Sequence, residues 1–257
     1  MEQVVYEDMY RLERTHWWFR ARREILSGIV REHVPAGGSI LDVGCGTGYV
    51  LEQLRGSYDV HGIDDAEIAV RFCHSKGLEF VERGVLGSTR LSREAYDLVM
   101  FLDVIEHIDD DVGALRSAAQ VLAPEGRVLV TVPALQLLWS EHDVVHHHRR
   151  RYDRASLTRS LRAAGLEPEW MSYFNTLLFP LVFAARMVGR LKKSGGASDA
   201  DTVPPGPINE LFYRAFGAEQ RLLSHLKLPI GVSLACIARP IAAPASSFRA
   251  REATAAL

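Results

Sequence analysis

Two stretches of this chain hold side chains whose types and spacing can do chemistry. The first, Ile40–Tyr49, reads I-L-D-V-G-C-G-T-G-Y, an apolar run ending in Asp42 followed by alternating glycines at Gly44, Gly46 and Gly48. Glycine reaches positive φ at little cost and lets a ligand approach the backbone, and the N-terminus of the next helix offers unpaired N–H groups. A nucleotide-like ligand should lie across this turn. The spacing is not the G-x-G-x-x-G of dinucleotide folds. The second stretch, Trp139–Tyr152, reads W-S-E-H-D-V-V-H-H-H-R-R-R-Y. Most of these side chains cost free energy to bury unpaired, so their density points to work beyond filling space. Three readings stay open. In the first, His142 with Asp143, and His147 beside them, form a base and its orienting carboxylate, because imidazole accepts protons near neutral pH. Trp139, His146, Arg150 and Tyr152 would then hold the substrate, the last two through an anionic group. In the second, His142, Asp143 and His146 ligate a divalent ion, although adjacent histidines rarely point at one ion and no cysteine joins them. In the third, the arginines simply pair with acids at the sheet edge.

The elements that must position these groups follow from the hydrophobic pattern. Strand one is Ser39–Val43, and its helix runs through Val50, Leu51 and Leu54. Strand two, Asp59–Ile63, ends in Asp64 and Asp65. Asp64 lies 22 residues after Asp42, near the ~20 at which an acid meets ribose hydroxyls in a βαβ nucleotide unit; the plainer reading is a cap on the helix at 66–75. Strand three is Leu78–Glu82. Strand four, Tyr96–Leu102, is apolar throughout, as a strand buried on both faces should be. It runs into L-D-V-I-E-H at Leu102–His107, at a strand end where open α/β sheets bind ligands, or Glu106 and His107 merely start the next helix. A helix over Asp109–Leu122, a Pro-Gly turn at 123–126, strand five at Arg127–Val132, a helix at Asp153–Gly165 and strand six at Leu166–Phe174 complete an alternation that implies a doubly wound parallel sheet.

The glycine motif with its Asp42, and the L-D-V-I-E-H segment, resemble class I S-adenosylmethionine-dependent methyltransferases of the bacterial small-molecule type. H-W-W-F-x-x-R at His16–Arg22 resembles an arrangement that many bacterial members carry ahead of the glycine motif. The resemblance implies a Rossmann-like, mostly parallel seven-stranded α/β sheet with S-adenosylmethionine as cofactor. It places Asp42, Gly44, Cys45, Gly46 and Gly48 in the cofactor turn, Asp64 with Asp65 at the ribose, Asp103 and Val104 with His107 near the methionine end, and Trp18 and Arg22 in a helical cover. After strand three the chain has Gly84-Val85-Leu86-Gly87 where relatives often carry an acid for the adenine amino group, so adenine is expected to rest on backbone and apolar contacts. Methyl transfer from a sulfonium needs no metal, and none is expected.

The 257 residues, 47% hydrophobic and 24% charged with a formal net charge of −2, suit a soluble globular chain and not a general nucleic-acid binder. Cys45, Cys73 and Cys236 form no disulfide or zinc pattern, and the N-terminal residues lack an apolar signal region, so a reducing cytoplasm is the simplest location. The expected organisation is a helical cover at 1–38, a methyltransferase domain at 39–240 and a tail at 241–257. An inserted helical hairpin at 177–226 has an apolar first arm, Leu177–Leu191, ending in Arg190, Lys192 and Lys193. Its ~15 residues are too few to cross a bilayer, but peripheral contact with an anionic membrane surface fits the composition. The expected activity is methyl transfer to an O or N atom of a small molecule. The alternatives are a lipid- or polyprenyl-linked acceptor at a membrane surface, or a non-catalytic cofactor-binding partner subunit; the sequence does not set the oligomeric state.

Overall fold

The structure, a computed structural model, describes residues 3–91, 95–192 and 203–241. Seven strands form one sheet: β1 (Ser39–Val43), β2 (Asp59–Asp64), β3 (Val81–Arg83), β4 (Tyr96–Leu102), β5 (Leu122–Pro133), β6 (Leu166–Phe174) and β7 (Ser233–Pro240). Their order is β3-β2-β1-β4-β5-β7-β6, parallel from β3 to β5, with β7 antiparallel to both neighbours. Every residue of β1 is buried, as the apolar run requires of a central strand covered on both faces. Register fixes the working edge. Val43 pairs with Ile63 on β2 and Phe101 on β4, and Leu102 pairs with Thr131 on β5. The residues that follow these pairs, Gly44, Asp64 and Asp103, therefore emerge together at the carboxyl edge, beside Thr131.

Helices α1 (Gln3–Leu12), α2 (Trp17–His33), α3 (Tyr49–Leu54), α4 (Glu67–Ser75), α5 (Asp111–Gln120), α6 (Glu141–Val145) and α7 (Arg154–Ala163) surround the sheet. His16 caps α2, its ring accepting the Trp18 amide at 3.2 Å. Apolar contacts on one face gather Ile25, Leu26, Leu51 and Met100, and on the other Val99, Phe101, Leu115 and Val130.

Three departures from the expected bounds have a structural cause, the other element ends given above shifting by no more than two residues. β3 begins at Val81, not Leu78, because the Leu78 amide bonds Cys73 O at the end of α4 and its side chain is buried there. The Ala123–Gly126 turn lies inside β5: Tyr96 pairs with Leu122 and Leu98 with Arg127, so the chain bulges between them. Gly126 permits this, since a Cβ there would meet Tyr96 O at 2.7 Å. Among the described residues the insertion between β6 and β7 has three helices instead of two, α8 (Phe179–Lys192), α9 (Gly206–Gly217) and α10 (Glu219–Leu223). The chain breaks after Gly217 so that buried Glu219 can accept the Thr176 and Leu177 amides, each at 2.7 Å. The ring edges of Phe212 and Phe216 on α9 meet Trp17 on α2. Lys193, most of the Ser194–Pro207 stretch, whose glycines and prolines suggest a flexible linker, and the tail beyond Ile241 lie outside the described residues, as do the side chains of Arg190 and Lys192.

Candidate active site

The glycine turn is built as its spacing requires. Gly44, Gly46 and Gly48 have φ of +68°, +57° and +74°, a region that side chains with a Cβ enter only at a cost. Gly44 has a second constraint: a Cβ there would lie 2.8 Å from Val104 Cγ2, so the post-β4 loop rests directly on the turn. Asp64 closes it from β2. One carboxylate oxygen accepts the Gly46 amide at 2.9 Å, and the other accepts the Ala66 amide at 2.9 Å and the Tyr6 hydroxyl at 3.3 Å. Asp64 thus fills the plainer of the roles expected for it, tying down the start of α4, and also closes the glycine turn. Burial raises its pKa. Asp65 beside it is exposed, and Cys45 is half-buried in the turn.

Asp42 is buried beneath this turn, and its Oδ1 has no hydrogen-bond partner. Burial pushes its pKa up to about 8 against the pull of Arg22. Arg22, itself buried, donates to Thr131 Oγ1 at 3.0 Å, reaches Asp103 Oδ2 at 2.9 Å, and lies 5.2 Å over the Trp18 ring. Thr131 in turn donates to Asp103 Oδ1 at 3.1 Å. Asp103 holds φ +60°, a strained value for a non-glycine residue of the sort found where a side chain must be aimed. Thr131 and Tyr6 were not among the residues singled out from sequence. Thr131 stands out in sequence only as a polar residue within an apolar strand, and Tyr6 only through its helical spacing with Met9, Tyr10 and Glu13.

The histidine-arginine stretch folds differently from the pairing expected of it. Asp143 is fully buried and turns away from a role with His142. It takes Arg151 Nε at 2.7 Å and Nη2 at 3.1 Å, His148 Nδ1 at 2.8 Å and the Ser140 amide at 2.9 Å. Although burial opposes it, the bonds from His148 and Arg151 hold its carboxyl well below the usual range. His142 is driven down to about 3 by burial and then by His146, Arg186 and His148 around it, which leaves a weak proton acceptor. His147 is exposed at φ +56°. Arg150 and Tyr152, expected to grip an anionic substrate group, are both taken by Asp111: Arg150 Nη1 at 3.2 Å and the Tyr152 hydroxyl at 2.8 Å. Tyr152 is buried and Trp139 half-buried. The ring of His146 lies 4.2 Å from that of His142.

What the stretch delivers is His148. Its ring meets His107 at 4.8 Å, edge to face, and Glu106, His107 and His148 offer donor atoms within 4.8 Å of one another. Glu106 is fully buried with neither carboxylate oxygen hydrogen-bonded among the described residues. Burial, reinforced by Asp103, holds its pKa well above the ordinary value. His107 is pushed down to about 4 by burial and by His148. The sequence leaves Glu106 open between the ligand-binding strand end and a helix start, and holds His148 within the histidine-arginine stretch with no role of its own.

A family profile described as "Methyltransferase domain" matches residues 15–169. The chain belongs to this methyltransferase family. The ubiquinone biosynthesis O-methyltransferase of Bordetella avium is 29% identical over 155 residues, which are 52% of this chain and 64% of that protein. The chain therefore spans less than two thirds of the length of such curated relatives. Among solved structures, the complex between the Haloferax volcanii Trm112 methyltransferase activator and its methyltransferase contains a similar chain, with TM-score 0.58 and 17% identity, covering 93% of this chain and 94% of that one. The cyclase SpnF is similar at TM-score 0.53 and 22% identity, covering 85% of this chain and 81% of that one. At such identities these two show the fold alone.

The cofactor of this class I methyltransferase is S-adenosylmethionine, and the residues fit it. The three glycines at positive φ leave the turn backbone without side chains, and the Asp42 oxygen that has no partner among the described residues, with Asp103 and Arg22, suits a ligand end bearing both an ammonium and a carboxylate.

Proposed function

We propose that this methyltransferase methylates a hydroxyl oxygen of a small molecule held beside Glu106, His107 and His148. The observation that carries the reading is the carboxylate-imidazole cluster directly after Asp103, where a proton can be drawn from an acceptor facing the methionine end. Bound cofactor supplies a methyl group on a sulfonium, already activated for transfer. The chain's own work is to orient the acceptor in line and to promote loss of its hydroxyl proton. The preference for oxygen is supported by relatives named as ubiquinone biosynthesis O-methyltransferases. Incubating the purified chain with methyl-labelled cofactor and a panel of phenols, catechols and amines tests it. Label is expected in hydroxyl acceptors; stoichiometric cofactor binding with no labelled hydroxyl product would favour the cofactor-binding subunit instead.

A second reading, a polyprenyl-bearing acceptor at a membrane surface, draws on the apolar side chains that the insertion leaves exposed, among them Leu177, Leu181, Ile208 and Leu211. Among the described residues no helix is long and apolar enough to cross a membrane, so such contact would be peripheral. Flotation with anionic liposomes tests it, and absence of the chain from the lipid fraction would remove it.

A further inference from the structure

We propose that Glu106, His107 and His148 bind one divalent metal ion of the zinc class on the acceptor side of the site. The inference rests on the hydroxyl-methylation reading only for its use, not for the binding itself. Two neutral imidazoles and one carboxylate are the donor set of catalytic zinc sites, which leave a further position open to water or substrate. Three independent features support it. Glu106 is buried with both oxygens unbonded among the described residues, an arrangement that costs free energy unless a cation or a proton answers it. His148 gives its Nδ1 proton to Asp143 at 2.8 Å, which fixes the tautomer and leaves Nε2 with a lone pair, the carboxylate-histidine support that metal-bound histidines commonly have. Asp143 in turn is clamped by Arg151 through both oxygens, so the support is rigid. The donor atoms lie within 4.8 Å of one another, and rotation of the Glu106 and His107 side chains toward the fixed His148 would bring them to the ~3.3 Å edge of a tetrahedron with ligand bonds near 2 Å.

The ion's use follows from its charge. A hydroxyl ligand at the open position has a lowered pKa and gives its proton to bulk water. The oxygen then forms its bond to the methyl carbon as the carbon–sulfur bond breaks, and that electron pair stays on sulfur. No oxidant or reductant is involved.

The test is titration of the full chain with Zn²⁺ by calorimetry, with Co²⁺ absorption as a direct report of histidine and carboxylate ligation. One ion per chain is expected. Glu106→Gln and His148→Ala should each weaken binding at least about 100-fold, more than the 10- to 100-fold typical of second-shell changes. His142→Ala should leave it unchanged, which separates the site from adventitious binding by the neighbouring histidines. Binding of S-adenosylhomocysteine and thermal melting, measured on each variant, exclude misfolding as the cause of a loss. Stoichiometric binding that survives both ligand variants, or no Co²⁺ spectrum at all, would overturn the proposal. Hydroxyl methylation without metal uptake would remove the metal site alone, and metal uptake without any methylated hydroxyl would remove the acceptor reading alone.

Discussion

Replacing Asp42 by Asn should change how stability depends on pH, and the size can be worked from the structure. Asp42 is 2% exposed, one of its oxygens is unpartnered, and its folded pKa is raised to about 8. The unfolded value is about 3.9. Between these two values the folded chain holds a proton that the unfolded chain has lost. Stability from this group is therefore complete below pH ~4 and declines as pH rises through the folded pKa, by about 1.4 kcal/mol per unit. From pH 5.5 to 7.5 the loss is about 2.7 kcal/mol, and Asp42→Asn, a near-isostere that cannot ionise, should not suffer it. Asp64 is also raised by burial, but it is present in both proteins and largely cancels in the difference. Urea unfolding without cofactor at pH 5.5, 6.5 and 7.5 measures the effect: the variant should gain on the natural chain at each step. Parallel profiles across that range would refute the claim that Asp42 carries a buried proton at neutral pH.

Arg151→Ala should destabilise the chain by about 3–5 kcal/mol, because it leaves the Asp143 charge buried with its bidentate partner gone; Arg151→Lys should recover little of this, since a single ammonium cannot span both oxygens. Urea unfolding measures both, and a loss below 1 kcal/mol for the alanine variant would remove the clamp from the account. His147→Gly should retain turnover and change stability by less than about 1 kcal/mol, because relief of left-handed strain at φ +56° offsets the added freedom of glycine in the unfolded chain. Lost turnover at unchanged stability would return His147 to the chemistry.

The sheet was legible because its strands announce themselves by local composition. β1 and β4 fall at the bounds that their apolar runs suggest, and β6 at the bounds expected after the glycine stop at Gly165. The cofactor turn was legible for a related reason: three glycines at positive φ are a backbone requirement, and backbone requirements are written locally. β5 was misjudged because Pro124 and Gly126 are turn formers in isolation, and only the pairing of Leu122 with Tyr96 holds them in the sheet as a bulge. The break between α9 and α10 was hidden for the same reason. It exists to bring Glu219 to the backbone amides of Thr176 and Leu177, more than forty residues away along the chain. Arg22 was legible as a guanidinium beside aromatic rings and through resemblance, but its pairing was not, since its partners Asp103 and Thr131 come from two other elements.

The histidine-arginine stretch shows why adjacency in sequence misleads about pairing in a turn. His142 and Asp143 are neighbours, and successive side chains on a helix diverge by roughly 100°, so they cannot share one face of α6. α6 is a single short turn held at its start by Ser140 and Asp143 in a capping box. It ends at His146, and the next residue, His147, adopts φ +56°, the left-handed step that commonly reverses a chain after a helix. That reversal returns the backbone over the turn it has just left. The His148 amide then bonds Asp143 O at 2.8 Å, and its ring meets the Asp143 carboxylate at the same distance. Arg151, eight residues on, closes the other side. Asp111 does the equivalent for the outer half of the stretch by taking Arg150 and Tyr152. Two buried acids thus account for Arg150, Arg151 and Tyr152, while Arg149 pairs with Asp109 and caps the His107 carbonyl, and the imidazole brought to the side chains of Glu106 and His107 is that of His148. The stretch is a device for presenting a single imidazole, in a fixed tautomer, to the end of β4.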